Sequence, residues 1–483
     1  MSDNQKWFRS VHLDDSIVKA LELLGIHQPT EVQEQVIPKA LLHLDLIVQS
    51  QTGSGKTLAY ALPILEKIHW ESNRPQALIL VPTRELAVQV TEELTNVGLM
   101  KRIHSVALFG KDSYLKQKNL LKQKTHVVIG TPGRVLDHLQ KGTLIVEEIK
   151  HFIIDEADEM LNMGFIDNVK EIMAYLPKEK QTLFFSATYP EEVKELCLNF
   201  MRGPESISIK PHEKVVKQIE HAKIEIPQKE KRQLLQRVLI KENPDSCIIF
   251  CQTQKEVDQL YRVLNQSMQA LEKLHGGLAQ RDRFRSIEKF RDGSCRYLIA
   301  TGLAGRGIDV KDVSLIIHFD VPTEVENYVH RSGRTGRAEQ SGKVITLVSP
   351  DEQASLEAIE AFLGYNIPVL PIPSEEETQR TKHLFDKKMR KTEQKESKAI
   401  HLQTEVTKLF FNGGKKKKLR AIDFVGAITN IDGVDASDIG VISIYEHQTY
   451  VDILNGKGKL VLSEMKMLTV KGKQLKVHIA KKS

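Results

Sequence analysis

The stretch Leu44–Ile68, LDLIVQSQTGSGKTLAYALPILEKI, decides the fold. It opens on an apolar β-rich run, breaks at Gln51-Thr52-Gly53-Ser54-Gly55-Lys56-Thr57, and resumes as a helical segment. A strand, a glycine loop and a helix start, in that order, aim backbone N–H groups and the positive end of a helix dipole at one point where phosphates can sit. Lys56 is placed to neutralise β- and γ-phosphates, and the Thr57 hydroxyl to bind Mg2+. One departure is Ser50, where the general phosphate-loop pattern has glycine.

Similar units follow on both sides. QALILVP, THVVIGT, HFIIDEA and QTLFFSAT continue the first half, and DSCIIFCQT, RYLIAT, VSLIIHFDVP and KVITLVS make up a second. Near-continuous apolar strands separated by amphipathic helices predict parallel sheets covered on both faces. The pattern breaks at MRGPESISIKPHE, so two α/β lobes are expected, over 1–205 and 215–370, joined by a short linker. Residues 371–403 are polar and charged without a sustained apolar stripe, which reads as a linker or a solvated helix. A compact βαββαβ pattern occupies 404–483, the order of an RNA-recognition-motif fold.

Charge separates that last domain from the rest. The chain carries 69 Lys and Arg against 63 Asp and Glu. Residues 404–483 hold 13 Lys and one Arg against eight acidic residues, so they account for the whole excess of +6. A polyanion-binding module attached to a neutral machine fits that division. Its most basic run is Lys415-Lys416-Lys417-Lys418. The first residues lack the apolar segment of a secretion signal and no run is long enough to span a bilayer, so a cytoplasmic protein without membrane contact is expected. The four cysteines read as reduced, buried thiols; Cys247 and Cys251 would share one face of a strand.

Two further segments carry chemistry. Asp155-Glu156-Ala157-Asp158 ends the run HFII, where a carboxylate at the C-terminal edge of a strand can hold Mg2+ through water. Glu156 beside it can orient and deprotonate an attacking water. His330-Arg331-Ser332-Gly333-Arg334-Thr335-Gly336-Arg337 lies in the second lobe. Arginine there suits the charge developing on a γ-phosphoryl group, and its position on the other lobe makes hydrolysis conditional on lobe closure.

With these segments the chain resembles the DEAD-box RNA helicases, whose motifs run in order from Phe8 to Arg337. The resemblance implies two RecA-like domains in tandem, an RNA-dependent ATPase and helicase activity, and ATP with Mg2+ as cofactors. It implies that Phe8 and Gln33 read adenine, by stacking and by hydrogen bonds. It gives Gly307 and Asp309 of Arg306-Gly307-Ile308-Asp309 to the nucleotide, and makes Arg334 and Arg337 the γ-phosphate arginines. Asp158, Ser186 and Thr188, with His330, would couple hydrolysis to strand separation.

By the same resemblance, Pro82, Thr83, Arg84, Gly110, Thr131, Gly133 and Arg134 line an RNA track in the first lobe. Gln252, Thr253, Gly276, Gln280, Arg283 and Thr301 line it in the second. Loops of this kind hold phosphates and 2′-hydroxyls without reading bases. Lys111 stands where the family has the second glycine of a pair, and Gly302 where it has aspartate. Gly302 removes a carboxylate and adds flexibility, with an expected weakening of RNA coupling.

The C-terminal segments FFNGGKKKK and LNGKG extend the resemblance to the bacterial DbpA/YxiN type. That implies structured RNA as partner, a hairpin of 23S ribosomal RNA in pre-50S particles, and a part in assembling the large ribosomal subunit, with no DNA partner and a monomeric chain. Phe410 and Tyr450 occupy base-stacking positions, on a face expected to be a reduced platform with the lysine run dominating. The competing readings are an ATP-gated clamp without turnover, a DNA-dependent ATPase, and a general RNA chaperone without a preferred target.

Overall fold

The computed structural model describes residues 5–51, 53–209, 219–302, 313–336, 342–390 and 405–480. Thr52, Gly307, Asp309 and Arg337 lie outside them. Among these described residues no helix is long and apolar enough to cross a membrane.

The first lobe is built on a parallel sheet of strands β1 (Leu46–Gln49), β2 (Ala77–Leu80), β3 (Ser105–Leu108), β4 (Val127–Gly130), β5 (His151–Ile154), β6 (Gln181–Ser186) and β7 (Glu205–Ser208). Their spatial order is β3-β4-β2-β5-β6-β1-β7. β2, β4, β5 and β6 are buried at every residue, as strands with helices on both faces must be. The helix Lys56–Lys67, which leaves the glycine loop, is buried from Leu58 through Leu65. Its apolar sequence is therefore that of a core helix and not of a surface one.

The second lobe repeats the plan with β8 (Ile219–Glu225), β9 (Cys247–Cys251), β10 (Leu271–Leu274), β11 (Tyr297–Thr301), β12 (Leu315–His318) and β13 (Gly342–Val348). They run parallel in the order β10-β11-β9-β12-β13-β8. Alternation along β9 feeds two cores: Cys247, Ile249 and Cys251 enter one, Ile248 and Phe250 the other. All four cysteines are buried, and burial pushes their thiols up, Cys197 to about 11 and Cys295 to about 12.

The stretch 371–403, read as a linker or a solvated helix, begins as a helix, but one that packs on a core. Glu375–Arg390 is a helix, and its Phe385 and Met389 join the core of the second lobe. Arg296 lies against the rings of both Tyr297 and Phe385, at 5.1 and 5.7 Å from their centroids. Two apolar residues one turn apart anchor the helix, too few to show as a stripe among its charges.

The C-terminal domain holds an antiparallel sheet of β14 (Thr407–Phe411), β15 (Ile439–Ile444), β16 (Thr449–Ile453) and β19 (Val477–Ile479), ordered β15-β16-β14-β19. A short hairpin, β17 (Thr469–Val470) with β18 (Lys473–Gln474), stands beside it. Leu409 and Phe411 point into the core with Phe424, Ile428 and Val461 of the two helices, so Phe410 between them faces the other way.

Candidate nucleotide site and RNA track

Strand order in the first lobe sorts the expected site residues into two groups. The phosphate loop follows β1, Asp155–Asp158 follow β5 and Ser186–Thr188 end β6, and these three strands are neighbours in the order β5-β6-β1. The loops with Pro82–Arg84, Gly110 and Thr131–Arg134 follow β2, β3 and β4, neighbours in the order β3-β4-β2. The residues expected at the nucleotide and those expected at RNA thus occupy adjoining halves of one carboxyl edge, the edge at which open α/β sheets bind ligands.

In the nucleotide half, Gly55 adopts φ +93°, a left-handed conformation open to glycine. A Cβ there would stand 2.6 Å from Gln33 Nε2 and 2.8 Å from Thr30 Oγ1, so glycine is also required for space. Gln33, 2% exposed, accepts from the Thr30 backbone N–H at 3.0 Å and donates to the Gly55 carbonyl at 3.1 Å. Among the described residues, one N–H and one lone pair of its amide stay uncommitted, the complement of the N6/N7 edge of adenine. Phe8 is fully buried, edge-on to Trp7. Removing Gln33 should loosen the loop and the base contact together. Gln33→Ala is expected to raise KM for ATP by about 10- to 100-fold, the equivalent of one or two lost hydrogen bonds. Steady-state ATPase at saturating RNA checks this, and an unchanged KM would separate Gln33 from the base.

Lys56 is buried and its ammonium donates to the Ser50 carbonyl at 3.2 Å, while the Ser54 and Ser50 hydroxyls bond at 3.2 Å. Ser50 therefore supplies internal contacts to the loop at the position where the general pattern has glycine. Asp155 is held from both sides: Tyr60 donates its hydroxyl to Oδ2 at 2.9 Å and the Glu156 N–H bonds Oδ1 at 3.0 Å. Burial raises the Asp155 carboxyl above its ordinary range, Lys56 and these hydrogen bonds oppose the rise, and neighbouring Asp158 adds to it. Burial also holds the Tyr60 phenol well above its usual value, so it remains a donor.

Glu156 takes φ 54°, ψ 54°, left-handed for a residue with a side chain, and caps the helix Ala157–Asn162. That conformation costs on the order of 1 kcal/mol and turns the chain sharply from strand to helix. Asp158 Oδ2 accepts from the Thr188 N–H at 2.8 Å, the Thr188 hydroxyl at 3.0 Å and the Ala187 N–H at 3.2 Å. The Ser186 hydroxyl closes the link by accepting from the Asp158 N–H at 3.2 Å. The two segments expected to couple are bonded to one another.

In the RNA half, Thr83 caps the helix Arg84–Gly98 by accepting from the Leu86 N–H at 3.2 Å. Gly110 lies 3.5 Å, measured from a Cβ built on it, from Arg84 Nη2. Nothing stands within 4 Å of such a Cβ at exposed Gly133, so the protein itself does not demand glycine there. Lys111 adopts φ 59°. The position is one that a glycine would occupy without strain, so a lysine there carries a conformational cost.

The second lobe repeats the sorting. Gly276, Thr301 and the pair Gln252-Thr253 follow or end β10, β11 and β9, again three neighbours, and Gln280 and Arg283 lie on the helix Gln280–Arg291. Gln252 N–H donates to buried Asp320 at 2.8 Å, and Thr253 caps its helix by accepting from Glu256 N–H at 3.2 Å. His330 and Arg331 end the helix Val325–Ser332, and Arg334 is buried just beyond it. Gly302 proves to be more than a flexible substitute for aspartate. A Cβ there would collide with Arg331 Nη2, so the glycine leaves room for a guanidinium that lies 5.2 Å over the Phe250 ring.

On the C-terminal domain, Phe410 and Tyr450 are direct cross-strand partners with ring centroids 5.6 Å apart. His478 on β19 lies opposite Phe410 at 4.4 Å, and Tyr445 meets Tyr450 at 6.0 Å. The reduced platform expected from sequence is thus a stripe of four rings. The lysine run is pinned through Lys415 and Lys416 N–H groups to the carbonyls of Tyr445 and Glu446, at 2.9 and 3.0 Å. Lys471 and Lys473, unremarked in the sequence, donate to the carbonyls of Lys418 and Lys417 and enlarge the basic patch.

Comparison with known proteins agrees with this geometry. Residues 30–196 match the family model described as DEAD/DEAH box helicase, 230–339 the helicase conserved C-terminal domain, and 408–479 the DbpA RNA binding domain. The chain is 51% identical over 476 residues, 98% of its length and 99% of the relative's, to ATP-dependent RNA helicase DbpA of Bacillus subtilis (strain 168). It is 41% identical over 353 residues, 73% of its length and 76% of the relative's, to DEAD-box ATP-dependent RNA helicase CshA of Geobacillus kaustophilus (strain HTA426). Among solved structures, S. cerevisiae Dbp5 bound to RNA and ADP BeF3 superposes with a TM-score of 0.69 at 30% identity, covering 79% of this chain and 99% of that one.

Proposed function

The chain belongs to the DEAD-box ATP-dependent RNA helicases, and we propose that it acts within that family on structured ribosomal RNA, the 23S species of large-subunit precursors. Its activity is RNA-dependent ATP hydrolysis coupled to RNA unwinding. The observation that carries the finer reading is a coincidence of charge and family: the residues matching the DbpA RNA binding domain hold 11 Lys and one Arg against seven acidic residues, +5 of the chain's excess of +6.

In this reading Gln33 and Phe8 select adenine, the phosphate loop and Lys56 hold the phosphates, and Glu156 takes the proton of the attacking water. Asp155 and Thr57 offer one carboxylate and one hydroxyl, a donor set that suits a hard cation keeping most of its water, as Mg2+ does. Such an ion would supply positive charge against the charge that builds on the phosphates. Arg334 and Arg337 supply positive charge to the γ-phosphoryl group once the lobes close. Asp158 passes the state of the nucleotide to Ser186 and Thr188 through the hydrogen bonds described. RNA and ATP then favour the same closed form, and each raises affinity for the other. Strand separation is local, and a monomer suffices.

The C-terminal domain directs the motor to its target by stacking on the aromatic stripe and by phosphate contacts at the lysine patch. Each phosphate contact contributes about −0.9 to the slope of log affinity against log salt on a duplex and about −0.7 on a single strand. Replacing Lys415 to Lys418 with alanine is therefore expected to flatten that slope by roughly 3 to 4 if all four meet phosphates. The target itself is tested by ATPase stimulation with total ribosomal RNA, a 23S hairpin fragment and unrelated RNA, with and without residues 404–483. Equal stimulation by all three RNAs in the full chain would replace the ribosomal reading with that of a general RNA chaperone.

A further inference from the structure

We propose that Gln117 is a positioning residue for the RNA track, the hub that locks Arg134 and the 109–112 loop into one rigid unit. The proposal rests on the reading that those loops carry RNA. Gln117 lies on the helix Tyr114–Leu121, belongs to none of the segments singled out by the sequence, and is 0% exposed.

Its amide makes every hydrogen bond an amide can make. Oε1 accepts from Arg134 Nη1 at 2.8 Å and bonds His138 Nε2 at 3.3 Å. Nε2 donates to the Phe109 carbonyl at 2.9 Å and to Asp112 Oδ2 at 3.3 Å. Arg134 Nη1 also donates to the Asp112 carbonyl at 3.2 Å, so the guanidinium is tied to the loop directly as well as through Gln117. The five N–H groups of a guanidinium are coplanar, and fixing one nitrogen on two acceptors restricts the plane in which the others are offered.

His138 extends the hub. Burial, reinforced by Arg134, lowers its pKa to about 4, so the ring is neutral at ordinary pH. A neutral ring donating to Gln117 through Nε2 must accept at Nδ1, where the Thr143 hydroxyl lies at 2.8 Å. Thr143 in turn meets the Tyr114 hydroxyl at 2.8 Å, and the Tyr114 ring stacks on His138 at 4.4 Å. The network therefore joins the loops after β3 and β4, and Arg84 from the loop after β2 packs on Gly110 of the same unit.

Glutamine is demanded by this arrangement, because only an amide offers two donors and two lone pairs together. Glutamate would set a second carboxylate beside Asp112 and the Phe109 carbonyl while gripping Arg134 harder. Leucine fills the space and leaves both sides of the hub without partners. A merely structural glutamine would lower stability when replaced and leave the RNA requirement alone.

The test uses the full chain and total ribosomal RNA. Gln117→Glu and Gln117→Leu are each expected to raise the RNA concentration for half-maximal ATPase by about 5- to 10-fold, with kcat at saturating RNA changed by less than about twofold. Arg134→Ala is expected to give a similar rise, and the Gln117→Leu, Arg134→Ala double variant no more than the arginine change alone. Additive effects overturn the proposal, as does an unchanged RNA requirement in Gln117→Glu when Arg134→Ala alone raises it. An Arg134→Ala variant with unchanged RNA requirement removes the RNA-track reading and the proposal with it. Loss of the folded state in both Gln117 variants, read by circular dichroism, assigns Gln117 to the core and overturns the proposal too.

Discussion

Glu156→Gln is expected to bind ATP and RNA like the parent and to hydrolyse ATP at least about 10³-fold more slowly, within the range a positioned general base contributes. The substitution keeps the size and the hydrogen-bonding reach of the side chain and removes its ability to take a proton. The surroundings argue that little else changes. Glu156 sits at the left-handed turn between β5 and the helix Ala157–Asn162, and its own N–H holds Asp155 Oδ1. Both features belong to the backbone, which glutamine leaves in place. Because the nucleotide stays uncleaved, the RNA-bound state should also outlast that of the parent, and RNA dissociation in the presence of ATP measures that lifetime. Single-turnover hydrolysis within about tenfold of the parent would take the role of base away from Glu156.

Much of this was legible before any coordinates because it depends on local pattern. The buried strands announced themselves as runs such as ALIL and HFII, since a strand covered on both faces has no polar alternation to keep. The phosphate loop lies between β1 and its helix, where the sequence puts it. What the sequence could not show depends on contacts between distant segments. Gln33 meets Gly55 across 22 residues, and Gln117 meets Arg134 across 17. His478 joins the aromatic stripe only through the register of β19 on β14. The packing of the helix Glu375–Arg390 escaped because two buried residues, Phe385 and Met389, decide it while the helix's mean character stays charged. The sorting of nucleotide and RNA loops along one sheet edge follows from strand order, which parallel crossovers leave open in a single sequence.

Arg334→Ala is expected to lower turnover by about 10³-fold or more while nucleotide-free RNA binding stays as it is. The residue is 4% exposed and follows the helix Val325–Ser332 on a loop with several restraints. Its N–H donates to the Arg331 carbonyl at 3.2 Å, and the Thr335 N–H to that of Ser332 at 3.1 Å. The Thr335 hydroxyl reaches the Val313 carbonyl, and a Cβ at Gly342 would collide with Thr335. An arginine on so restrained a backbone needs less ordering to meet a developing charge, which is where electrostatic stabilisation gains most. Arg334→Lys distinguishes charge from shape. Lysine keeps the charge and loses the planar fork, so it should restore less than about a tenth of the lost rate. If Arg334→Lys turns over like the parent, a point charge suffices and the planar fork plays no part. If Arg334→Ala does so, the γ-phosphoryl charge is met elsewhere, and Arg337→Ala becomes the variant that must stop the motor.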